Sequence, residues 1–457
     1  MTGRGVATIA VWAIAALFTA SSLASAQTNE RVFEDFDFHF VTPGARAAGM
    51  GKTFIGLADD ATAAASNPAG LSNLLHQEFS VEFIAAQNRH TRFVPSAPGQ
   101  SQTFESTVFT PSFLSYVVPL ARGGVSFFRH AVQDYREDFI FQGRFIESLN
   151  GFEDGAYGTL SAQAENYGVS GAYVINRYLS IGATYALSRL DLASDARSGS
   201  PDERDGQLLR TNPRNGSTTI GTDLSSSGVF GVLVKPKPGV SIGATYNSGS
   251  TFHLTTRLFG LFLRTAVPGD PTTRESVDRT GDEFITDYVT PPRYSLGAAW
   301  RVNNHLSVLS DWSHVGYSKR ITKNFLIVDF QDPDAGLIDS ESTRRCKQPC
   351  AFYIPDVDEW HAGAEYRLYL SRLTTAFRAG VFTDPDHTMR FRSGTNNVSH
   401  PADRILDFRF NTSSSKTDVG VTGGWGFALA NRVQVDLAVT HSHDLTELVI
   451  STVIRPW

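Results

Sequence analysis

The chain has 457 residues, with 40 Lys and Arg against 46 Asp and Glu and a net charge of −6. That mild acidity argues against nucleic acid as the partner, which calls for a basic surface. Beyond the N-terminal leader no run of about 18 apolar residues occurs, which excludes membrane-spanning helices, and the 39 Gly and 32 Phe are scattered through stretches that polar residues interrupt.

Taken from the N-terminus, residues 1–26 read as a secretory signal. Arg4 is the only charge before Glu30, Val6 to Leu17 is an apolar run, and Ala24-Ser25-Ala26 gives a small-residue cleavage pattern. The apolar run is short for a span of about 20 residues, so cleavage rather than anchoring is expected. Residues 27–75 form a second unit. Residues 44–51 are small and flexible, and Leu57 to Ala65 is predicted as a short helix with Asp59 or Asp60 near its N-terminus. Asn67-Pro68-Ala69-Gly70-Leu71 ends it, because Pro68 cannot continue a helix and pushes Asn67 to extended geometry.

Residues 76–457 predict an all-β chain, a transmembrane antiparallel barrel of about 14 strands. Short turns recur at 119–123, 176–177, 235–239, 303–304, 370–371 and 430–431, with longer polar loops predicted at 143–157, 191–224, 256–285, 320–358 and 384–417. Short turns at one end and long loops at the other suit a barrel in the outer membrane. The strands alternate with period 2, as a wall between lipid and lumen requires. Leu179, Ile181, Ala183, Tyr185 and Leu187 share one face, as do Val240, Ile242, Ala244 and Tyr246, and Val433, Val435, Leu437 and Val439. Asp436 then points inward. The last strand admits two faces, either Val449, Val453 and Trp457 outward or Leu448, Ile450 and Ile454 outward with Trp457 at the interface.

Several motifs invite chemistry. Cys346 and Cys350 lie in a polar, turn-like stretch and suit a small loop disulfide in an oxidising compartment. Gly49-Met50-Gly51-Lys52-Thr53 imitates the end of a P-loop, but Arg46 stands where that loop needs a small residue. His441-Ser442-His443-Asp444 is read as a polar link between strands rather than a metal site. No GxSxG elbow occurs. No catalytic residue, metal or cofactor is expected.

Residues 44–51, Ala58-Asp59-Asp60-Ala61, Asn67-Pro68-Ala69-Gly70, Thr290 to Trp300 followed by Asp311-Trp312, and Gly363-Ala364-Glu365-Tyr366 leading to Arg378-Ala379-Gly380 resemble the long-chain fatty acid transporter (FadL) family, which includes aromatic-hydrocarbon transporters. The resemblance implies a 14-stranded barrel whose lumen is plugged by an N-terminal hatch, with passive transport of a fatty acid or aromatic hydrocarbon and exit through the side of the wall. It implies a hatch or gating motif at Asn67, Pro68, Ala69 and Gly70, with Asp59 and Asp60 upstream. The plainer alternative for these residues is a helix stop inside a static plug. A similar N-terminal motif also marks barrels that are partners in protein secretion, so a protein-binding barrel is the second expectation and a polar porin the third.

Overall fold

A computed structural model describes residues 41–93, 101–141, 144–146, 151–153, 155–199, 213–267, 270–318, 352–391, 417–430, 432–443 and 445–456. The expected signal, residues 27–40, Cys346, Cys350 and Trp457 lie outside the described residues.

Fourteen antiparallel strands form the wall. They are β1 (Glu78–Phe93), β2 (Ser101–Leu120), β3 (Gly123–Phe141), β4 (Gly155–Asn176), β5 (Leu179–Gly199), β6 (Asn215–Lys237) and β7 (Val240–Asn247, resuming as Ser250–Val267). Then follow β8 (Glu283–Thr290, resuming as Arg293–Arg301), β9 (Leu306–Val315), β10 (Val357–Leu370), β11 (Leu373–Asp384), β12 (Asp418–Leu429), β13 (Val433–His441) and β14 (Leu445–Ile454). Each pairs with the next, and β14 pairs back onto β1 from Phe79↔Ile454 to Asn88↔Leu445, which closes the sheet and removes its edges.

The period-2 pattern decides which way each side chain faces. Ile181, Tyr185, Leu187, Ile242, Leu437 and Val439 are all exposed on the outside, and Asp436 is buried inside. For β14 the second of the two faces holds. Leu448, Ile450 and Ile454 are outward, whereas Val449 and Val453 are buried. Outward aromatics such as Tyr116, Tyr173, Tyr294, Trp300, Trp360 and Trp425 belong to the same lipid-facing surface.

The predicted loops at 191–224 and 256–285 are largely strand instead. β5 runs on to Gly199 and β6 starts at Asn215, with an unbroken ladder from Leu179↔Val234 to Ser198↔Asn215. Likewise β7 continues to Val267 and folds back through Asp270–Asp278. Polar composition predicts loop there, but backbone pairing sustains a strand whatever its side chains, so polarity alone does not end one.

The helix predicted over 57–65 is also corrected. Only Ala63–Ser66 (α2) is α-helical, and Leu57 to Thr62 turn tightly, with Ala58 at φ 36°. A further helix, α1 (Ala45–Ala48), occupies the stretch expected to be flexible. Pro68 does end the α-helix, and Asn67 is extended at φ −140°, ψ 95°. Pro68 then opens a 3₁₀ turn over Pro68–Asn73, where its missing N–H costs nothing.

Candidate functional site

Residues 44–74 are hydrogen-bonded to inward-facing residues of strands around the barrel's circumference. Gly44 N–H donates to Glu82 Oε2 on β1 at 2.7 Å. The Ser170 and Thr184 hydroxyls, on β4 and β5, donate to Ala64 O at 2.7 and 3.0 Å. Asn67 Nδ2 donates to Ile55 O at 2.8 Å and to Val232 O on β6 at 3.3 Å. The Ser241 hydroxyl on β7 donates to Gly56 O at 2.6 Å. On β9, Asp311 Oδ2 accepts from Phe54 N–H at 2.6 Å and Ile55 N–H at 2.9 Å. The Thr422 hydroxyl on β12 accepts from Gly51 N–H and is within 3.0 Å of Gly49 O. Buried backbone groups outside regular structure need such partners, and here wall side chains supply them.

The motif residues singled out from sequence fall into two groups. Asn67, Pro68, Ala69 and Gly70 are fully buried and sit against wall glycines. A Cβ on Gly231 would come within 2.2 Å of Asn67 Oδ1, and one on Gly182 within 2.3 Å of Ala69 N. Asp59 and Asp60 lie apart from them, on Arg46. Arg46 Nη1 is 2.6 Å from Asp59 Oδ1 and 3.5 Å from Asp60 Oδ2, and its Nε and Nη2 donate to both oxygens of Glu365 on β10 at 3.0 and 3.2 Å. Glu365 also accepts from Arg378 Nε at 2.8 Å, and Arg378 Nη1 donates to Asp436 at 2.7 Å. A continuous buried chain of charges thus joins the inner segment to β10, β11 and β13. Burial opposes the charge of Arg46, but Asp59, Glu365 and Asp60 together outweigh it and raise its pKa above the ordinary value. Burial pushes the Asp60 carboxyl up, against the pull of Arg46.

Sequence reading passed over Arg46, Glu82, Asp311, Glu365 and Arg378 as site residues. The available signal was parity. Asp311, Glu365 and Arg378 occupy inward positions of their strands, where an unpaired charge would be costly and a partner is therefore implied.

Beside this segment lies a cavity of about 190 Å³, lined by Val41, Pro43, Phe54 and Ile55 of the segment and by Phe128, His130, Val229, Phe252, Arg293 and Phe382 of the wall. The wall is irregular next to it. β3 is bulged between Ala131 and Gln133. His130 Nε2 and Val132 O are hydrogen-bonded to Val41 at 2.9 and 3.1 Å. The Tyr288 hydroxyl of β8 donates to Gln133 Oε1 at 3.0 Å, spanning the lumen. The β2–β3 ladder runs from Leu120↔Gly123 and ends at Phe113↔His130, so the remainder of β2 and β3 is not laddered together.

No protein-family model and no curated protein sequence matches the chain. Solved structures do. A FadL homologue of Pseudomonas aeruginosa aligns at TM-score 0.62 and 13% identity, over 92% of this chain and 100% of that one. The toluene transporter TodX of P. putida aligns at 0.55 and 15% over 92% and 99%, and the toluene transporter TbuX of Ralstonia pickettii at 0.53 and 16% over 93% and 99%. Identities this low speak for the fold, and on that ground the chain carries the FadL-type barrel fold.

Proposed function

We propose that this protein is a bacterial outer-membrane channel that lets small hydrophobic molecules pass without an energy source, and that residues 41–74 are its movable plug. The carrying observation is the cavity between that segment and the β3 bulge, beside a stretch where β2 and β3 share no ladder. A ligand there has an apolar wall on one side and a route to the bilayer on the other. Phe109 and Leu114 are exposed at the outer lip of the route, and Phe113 and Phe128 are buried at the inner one. Lateral exit would spare a hydrophobic solute the aqueous phase, worth about 0.8 kcal/mol for each methylene kept out of water.

Size favours compact ligands. By volume the space is close to a cavity of about 150 Å³ that holds benzene, so a monoaromatic hydrocarbon fits against its Phe54, Phe128 and Phe252 side, while Lys52, Arg293, Asp311 and Glu359 make the opposite side polar. The toluene transporters among the structural neighbours are in keeping with that class. A plug with two positions also lets the ligand leave, provided the ligand favours one of them. Asn67, Pro68, Ala69 and Gly70 form the plug's seat on β5 and β6, and Arg46 with Asp59 and Asp60 its tie to β10.

Liposomes containing the purified protein are expected to take up labelled toluene faster than empty ones, and labelled oleate more slowly than toluene. Rates equal to those of empty liposomes across a panel of both ligand classes would remove the proposal.

The seating of the plug should depend on pH through Asp60. Its carboxyl binds a proton more tightly when seated than when free, so its contribution is most favourable at acid pH. That contribution weakens as pH rises above the ordinary carboxylate range. In Asp60→Asn the acceptor from Thr62 N–H and Oγ1 remains and the buried charge goes. This variant is expected to show a flatter pH dependence of single-channel conductance than the parent. A slope identical to the parent's would show that Asp60 does not couple to seating.

A further inference from the structure

The wall has a second irregular seam on the other flank of the cavity, between β6 and β7. Their ladder runs as far as Val229↔Asn247, stops, and resumes at Thr219↔Thr256 with the register slipped by one residue. Between these points residues 220–228 of β6 lie beside residues 248–255 of β7 without regular pairing. β7 is interrupted there by Gly249 at φ 66°, and β8 by Pro291-Pro292 at the same level.

β7 has moved into the lumen at this point. Adjacent strands lie about 4.8 Å apart, so side chains two strands apart are normally separated by roughly 10 Å. Yet the Ser250 hydroxyl of β7 donates to Ser188 Oγ of β5 at 2.8 Å, passing inside β6. Leu254 likewise lies over the inner face of β6, where a Cβ on Gly221 would meet its Cδ2 at 3.1 Å.

The seam is closed mainly by side chains. Thr251 N–H donates to Ser225 Oγ at 3.3 Å, His253 N–H to Asp223 Oδ2 at 2.7 Å, and Gly228 N–H to Ser248 Oγ at 3.0 Å. One backbone bond remains, Ser248 N–H to Gly228 O at 3.0 Å. Such side-chain acceptors keep the backbone donors satisfied near lipid, and rotating a side chain opens the contact without breaking a ladder. The inner lip, at Val229, Asn247, Ser250 and Phe252, lines the cavity. The outer flank carries exposed Ile220, Leu224 and Phe230.

We propose, resting on the transport reading above, that the β6–β7 seam is a second lateral portal for the same small hydrophobic ligands. The cavity then has two exits to the bilayer, one on each flank.

Disulfide bridges test this, on a Cys346→Ser/Cys350→Ser background. Ser227→Cys with Ser250→Cys ties β6 to β7 across the seam, both hydroxyls being inward and within 3.0 Å of Ser188 Oγ, and Ser112→Cys with Ala131→Cys, one step beyond the last laddered pair Phe113↔His130, is the matching bridge on the β2–β3 route. Toluene uptake by liposomes is expected to lose part of its excess over empty liposomes with either bridge and all of it with both. Dithiothreitol should restore each loss, and heat-modifiable gel mobility should report a folded barrel throughout. The second portal is overturned if oxidising the β6–β7 bridge changes nothing while the β2–β3 bridge alone abolishes uptake. If the unbridged protein is itself no faster than empty liposomes, the transport reading fails instead and the portal with it. Photolabelling of the unmodified protein with a diazirine analogue of toluene gives an answer that needs no bridge. Label on residues 220–228 and 250–255 supports the portal, and label at Phe113 and His130 without label there overturns it.

Discussion

Replacing Arg46 by Met is expected to unseat the inner segment while leaving the barrel folded, and to raise ion conductance in planar bilayers. The guanidinium holds Asp59, Asp60 and both oxygens of Glu365 at once, in a site where its side chain is 9% exposed. Breaking a buried ion pair by removing one partner typically costs about 3–5 kcal/mol, because the other charge is left unpaired. Here the loss falls unequally. Glu365 keeps Arg378 Nε at 2.8 Å and Arg367 Nε at 2.6 Å, so the wall remains neutralised. Asp59 and Asp60 lose their wall-bound cation, and both sit on the inner segment. The Met side chain fills much of the same volume, so packing loss is a minor part of the change. Conductance in a bilayer reads the position of the segment, and heat-modifiable mobility reads the barrel. Unchanged conductance with normal mobility would mean that the charge chain does not hold the segment in place.

A single added methyl at Gly243 should have a comparable effect by steric means. Its Cβ would stand 2.1 Å from Ile55 O and 2.8 Å from Asn67 Nδ2, and no rotamer change relieves contact with a backbone oxygen. Ile55 must therefore withdraw from the wall, taking with it the hydrogen bonds that Asn67 makes to Ile55 O and Val232 O. Overpacking of a dense interior costs about 1–3 kcal/mol, and each buried polar group left unpaired adds about 1–3 kcal/mol. Gly171 is the matched control, a wall glycine whose added Cβ meets nothing within 4 Å. Gly243→Ala is expected to raise conductance and accelerate proteolysis within residues 41–74, whereas Gly171→Ala should do neither. Equal behaviour of the two variants would contradict a close fit between segment and wall.

Much of this architecture was open to reading from the chain. Period-2 alternation grouped the residues that share a face on β5, β7 and β13 and turned Asp436 inward, because a membrane wall gives each strand residue only two environments. The short turns fixed the strand count, since antiparallel neighbours need only a tight connection. Proline stopped the helix at Asn67 because its ring and missing N–H act locally. Polar stretches misled at 191–224 and 256–285, where the backbone stays paired in strands and polarity no longer distinguishes strand from loop.

Other features were settled by the tertiary structure alone. That Arg46 meets Glu365, 319 positions away, depends on closure of the whole barrel and leaves no trace in local periodicity. The irregularities of β3 and β7 arise from single-residue slips, a bulge at Val132 and a register change between Asn247 and Thr256. A one-residue slip hardly alters a hydrophobic pattern, yet it redirects a strand into the lumen. The glycines that admit the inner segment look like ordinary strand glycines until the segment is seen against them. Sequence determined which face of each strand meets lipid, because that is a property of neighbours along the chain, and the fold decided what meets across the lumen, because that is a property of the closed ring.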